Sequence, residues 1–98
     1  MPYIKQITRR VLDPAIQLFF DRIKEDDFEL LKSGELNYVI TKIIHWWVLN
    51  NGINYQNLHD AKGVLIDVKD EFVRLIIDPY EDKKKVENGF ISDLDRTT

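Results

Sequence analysis

No cysteine occurs among the 98 residues, which excludes a disulfide framework, a thiolate metal site and a cysteine nucleophile, and fits a cytoplasmic protein. Histidine is nearly as scarce. His45 and His59 are the two present, and neither has a second metal-type ligand one helical turn away, so a histidine metal site or general base is poorly supported. The longest apolar run, residues 43–49, is interrupted by His45 and is far shorter than the ~20 residues that span a bilayer. The opening MPYIKQITRR lacks the apolar centre and cleavage site of a signal peptide, so the expectation is a soluble intracellular protein. Neither charge sign dominates, with 14 basic and 17 acidic side chains and a net charge of −3. A protein that neutralises phosphates is normally basic, which argues against nucleic-acid binding. No P-loop, dinucleotide fingerprint or Ser-His-Asp order appears.

What is present is helical periodicity. The expected architecture is all-α, a compact bundle of three long helices and a short C-terminal helix, forming one domain over residues 1–98. Residues 1–12, with Ile4, Ile7 and the basic Lys5, Arg9 and Arg10, read as an extended or loosely coiled arm. Asp13-Pro14 then opens the first helix, with Asp as N-cap and Pro at the first helical position. Ile16, Phe19, Phe20 and Ile23 form its apolar stripe. A short extra turn carrying Phe28, Leu30 and Leu31 follows.

The second helix begins after Ser33-Gly34 and stops at Asn51-Gly52, a normal C-terminal signal. Leu36, Val39, Ile40, Ile43 and Trp47 share one face, which Ile44 and Val48 widen on one side and Trp46 on the other. An apolar sector over half the circumference is covered from two directions, by the rest of the chain or by another subunit. Asn37 projects beside Ile44 and Val48, where its amide needs a hydrogen-bonding partner, while Tyr38 faces the polar side.

Asn54 caps the third helix, whose apolar positions are Leu58, Ala61, Leu65, Val68, Phe72, Leu75 and Ile76. Gly63 inside it costs roughly 1 kcal/mol relative to Ala and implies a close helix crossing. Asp78-Pro79, with Glu81 three residues on, looks like a capping box that opens a fourth helix ending at Asn88-Gly89. The alternative is that the third helix continues through Pro79 with a kink. Residues 90–98, FISDLDRTT, read as a polar tail.

The strings PYIK near the start, GELNYVITKI at 34–43, GVL at 63–65 and EFVRLIIDPYEDKKKVENG at 71–89 cover nearly the whole chain. Together they resemble a family of short uncharacterised bacterial, archaeal and phage-associated proteins. The resemblance implies one compact domain and no mechanism. In that family an Asp often follows the final Gly of the last string, where this chain has Phe90.

Three chemical readings fit these residues. Asp67, Asp70 and Glu71 share one helix side and, with Glu35, are the candidates for Mg²⁺ or Mn²⁺ in a metal-dependent nucleotide hydrolase. Arg74, one turn from Asp70, makes an ion-pair ladder the simpler explanation, and the paired E-x-x-E and E-x-x-D motifs of the all-α nucleotide pyrophosphohydrolases are missing. Arg9, Arg10, Lys83 and Lys84 are the candidate phosphate contacts, with Tyr80 as a base-stacking ring. The lysine run is accounted for by a helix end, with Glu81–Lys85 as a favourable pair and Lys84–Asn88 closing the terminus. The third reading is a self-associating interaction or accessory module, a homodimer with an unknown protein partner. Its interface residues are Ile44, Trp46, Trp47 and Val48, because so short a chain struggles to bury two tryptophans alone. This last reading is preferred. It involves no catalytic residue, no cofactor and no membrane.

Overall fold

Apolar residues at three- and four-residue spacing recur through most of the chain, and the backbone answers with helices. The computed structural model describes residues 2–25 and 32–96, and the expected turn at Phe28, Leu30 and Leu31 lies outside the described residues. Helix α1 spans Gln6–Glu25, α2 Ser33–Asn51, α3 Tyr55–Phe72, α4 Asp78–Asn88 and α5 Asp93–Arg96, with a π-helical turn at Val73–Ile77 between α3 and α4. Among the described residues there is no strand. The all-α class and the three long helices agree with the periodicity. The chain divides into two compact units, Met1–Lys62 and Gly63–Thr98.

In the first unit, α1 begins seven residues before the expected cap at Asp13. Thr8 and Arg9 both donate backbone N–H groups to the carbonyl of Lys5 (3.1 Å each), and Arg9 Nε donates to the carbonyl of Ile4 at 2.9 Å. Asp13 and Pro14 therefore lie inside the helix, and the expected arm over 1–12 is confined to its first few residues. A proline inside a helix deprives the carbonyl four residues earlier of its donor, here that of Arg10. The helical turns on both sides carry the segment through.

The corner between α2 and α3 is the most heavily hydrogen-bonded feature of this unit. Gly52 ends α2 with φ of 112°, a conformation that a side chain disfavours, and its N–H donates to the carbonyl of Val48 at 2.8 Å. Asn54 caps α3 as expected, its Oδ1 accepting the Asn57 N–H at 2.8 Å. The side chain of Asn57, which the sequence did not single out, reaches back across the corner. Its Nδ2 donates to the carbonyls of Asn51 (3.1 Å) and Gly52 (2.9 Å). Asn51 Nδ2 in turn donates to the Trp47 carbonyl at 2.8 Å. Three asparagines thus satisfy donors and acceptors that a helix end and a helix start would otherwise leave unpaired.

In the second unit the expected new helix at Asp78-Pro79 does not start there. Phe72, Ile77 and Asp78 all have right-handed helical backbone, no side chain caps α4, and the Asp78 N–H donates to the carbonyl of Val73. That bond spans five residues instead of four. The wide turn lies immediately before Pro79, which has no N–H to give to an earlier carbonyl. Continuation through Pro79 is therefore the reading that holds, with a π turn just ahead of the proline. Gly89 closes α4 as expected, with φ of 95° and its N–H on the carbonyl of Lys85 at 2.9 Å.

Gly63 departs from expectation. A Cβ placed on it meets nothing within 4 Å, so no close helix crossing requires a glycine there. Replacing it with Ala should raise stability by up to about 1 kcal/mol through helix propensity, measured as a shift in the urea midpoint at unchanged slope. Asn57→Ala should lower stability by roughly 1–2 kcal/mol, because two carbonyls lose a donor at once. Thermal melts followed by circular dichroism would detect either change.

Candidate interaction surface

Trp46 and Trp47 are neighbours in sequence and about 100° apart round α2. Trp47 is half-buried, Val48 is 9% exposed and Ile44 is half-buried. Trp46 is 61% exposed, the one of the four expected interface residues that is exposed.

Also on α2 are Leu36 (47% exposed), Ile43 (52% exposed) and the half-buried Val39. In α3, Ala61 is 5% exposed, whereas Leu58, Leu65, Val68 and Phe72 are exposed, as is Leu75 in the π turn. Among the described residues, Val48 and Ala61 are the only buried apolar side chains.

The acidic side of α3 is organised by ion pairs. Arg74 Nη2 lies 2.9 and 3.2 Å from the two carboxylate oxygens of Glu71, and Lys69 pairs with Asp70 at 2.6 Å. The ladder expected from Arg74 thus runs to Glu71 and not to Asp70. Glu35 is half-buried in the first turn of α2. Among the described residues, no group of three or more His, Asp or Glu side chains is placed to hold a metal ion. His59 stacks on Tyr55, with ring centroids 5.9 Å apart, and His45 is exposed. Asn37 is exposed, and its amide oxygen accepts the Thr41 hydroxyl at 3.3 Å.

The lysine run is likewise engaged locally, though with other partners than expected. Lys84 pairs with Glu87 at 3.2 Å and lies 5.6 Å from the Tyr80 ring centroid. Lys85 lies 5.6 Å from the ring of Phe90, and Arg96 5.7 Å from the same ring. Arg10 and Lys83 are exposed and Arg9 is half-buried. The segment expected to be a polar tail is folded across its described part. The N–H groups of Ile91 (3.1 Å) and Ser92 (2.9 Å) donate to the Asp95 carboxylate, and Leu94 N–H donates to Ser92 Oγ at 3.2 Å. Ser92 and Asp95 thus form a reciprocal cap on α5. Phe90, where the resembling family often has Asp, anchors the segment between two cations.

Hydrogen bonds from Ser92 and then Ile91 hold the Asp95 carboxyl below its ordinary value of 3.8. A depressed carboxyl contributes its stabilisation above the ordinary value and loses it as pH falls through the lowered one. The C-terminal turn should therefore hold above the ordinary carboxyl value of 3.8 and loosen as pH falls through the lowered one. The amide proton shifts of Ile91 and Ser92 should titrate together with Asp95, and Asp95→Asn should abolish that transition.

Among the described residues, no helix is long and apolar enough to cross a membrane. No curated protein and no solved structure matches the chain. A family model described as a domain of unknown function, DUF6899, matches residues 1–91, and this helical chain belongs to that family.

Proposed function

We propose that this DUF6899 chain is a small self-associating helical module, a homodimer that serves as an interaction or accessory component and not as an enzyme. The observation that carries the reading is the apolar surface left open on α2 and α3. Leu36, Ile43 and Trp46 on α2 and Leu58, Leu65 and Phe72 on α3 are all exposed, and large exposed apolar patches mark interaction surfaces. Symmetric pairing is the commonest way for one chain to cover such a surface. The ion pairs of Glu71 with Arg74 and of Asp70 with Lys69 explain much of the acidic face without a metal. The local partners of Lys84 and Lys85 do the same for the lysine run. Neither the hydrolase nor the nucleic-acid reading gains a supporting observation.

Light scattering coupled to size exclusion should give twice the 11.7 kDa chain mass. Changing Ile43 and Trp46 together to Ala should raise the dimer dissociation constant at least about 30-fold, since a central aromatic anchor contributes roughly 2 kcal/mol or more. A wild-type chain that stays monomeric with full helicity at tens of micromolar would overturn the reading.

A further inference from the structure

One apolar row of α2 has a spacing of its own. Leu36, Val39, Ile43 and Trp46 follow one another at intervals of three, four and three, the seam of a two-stranded coiled coil. Asn50, four residues after Trp46, continues the seam with a polar side chain. Leu36, Ile43 and Trp46 of the seam are exposed, whereas Ile44, Trp47 and Val48 are half-buried or buried. Resting on the self-association reading, we infer that the second copy docks along this seam with its α2 antiparallel, related by a two-fold axis level with Thr41.

Three features select that arrangement. The first is size. With the axis level with Thr41, Leu36 faces Trp46 of the partner subunit and Val39 faces the partner's Ile43, and the same pairs recur with the roles exchanged, as an isologous interface requires. Each layer then holds one larger and one smaller side chain. Parallel pairing would set tryptophan against tryptophan, with β-branched Val39 in the position where parallel dimers favour leucine.

The second is the helix dipole. The last turn of α2 contains no basic residue to offset its negative end. Antiparallel docking brings the positive end of the partner helix beside it, and places Lys32, just before α2, level with Asn50 of the partner subunit. The third is polarity. Asn50 falls beyond the four apolar layers, at the solvated end, whereas parallel docking would bury two copies of it against each other. One opposing contact is the approach of Lys42 to the partner's Lys42 beside the axis, which their long stems allow to diverge.

Because the chain has no cysteine, single-cysteine variants report the geometry directly. Lys42→Cys and Asn50→Cys leave every apolar layer intact. Antiparallel docking brings residue 42 of the two copies together and separates residue 50 from its counterpart by roughly 27 Å along the axis. With a short bismaleimide, Lys42→Cys should therefore cross-link to a dimer in high yield and Asn50→Cys should not. Cross-linking of Asn50→Cys would overturn the antiparallel arrangement while leaving self-association standing. A dimer by light scattering in which neither variant cross-links would show that a different surface is used, with the same consequence for this inference alone. A monomeric wild-type chain would remove both. Ile43→Asp provides a separate check: it should weaken the dimer at least tenfold, and an unchanged dissociation constant would exclude the seam.

Discussion

Each of the three long helices carries a broad apolar stripe, and 98 residues offer little with which to cover them. Hydrophobic burial is the main favourable term in folding. In this chain it is concentrated at one place among the described residues, where Val48 and Ala61 flank the corner between α2 and α3. That corner is secured by backbone geometry at Gly52 and by side chains of Asn51, Asn54 and Asn57, so polar bonds do there what a larger core does elsewhere. Elsewhere on the long helices most large apolar side chains of the described residues stay exposed.

The helix ends were legible where the physics of one residue decides them. Asn51-Gly52 and Asn88-Gly89 terminate helices because glycine accepts positive φ at little cost. Asn54 begins one because its side-chain oxygen suits an N-cap. Asp-Pro was the signal that misled, at both 13–14 and 78–79. The pair suits a helix start but does not require one. Whether proline opens a helix or sits within it depends on whether the preceding turns are themselves helical, as they are from Gln6 and from Tyr55. The π turn just ahead of Pro79 leaves no compositional mark.

The candidate site was legible to a similar degree. Periodicity identified the broad apolar sector of α2, on which Trp46 is exposed. It could not tell which side chains of that sector are exposed and which half-buried, since Trp47 and Leu36 lie on one face and differ in exposure. At the other end of the chain, Ser92 and Asp95 have capping-box spacing, but a helix as short as Asp93–Arg96 has no period to detect.

The π turn also bears on how the chain tolerates changes of length. A wide turn inside an α-helix is geometrically one inserted residue, so the side chains after it are out of phase with those before it. Removing one residue from Val73–Ile77 would restore an unbroken α pattern. It would also swing Tyr80, Lys84 and the rest of α4 by about 100° relative to Leu65 and Phe72. Loss of a single codon in this stretch would thus re-aim α4 without removing any side chain from it.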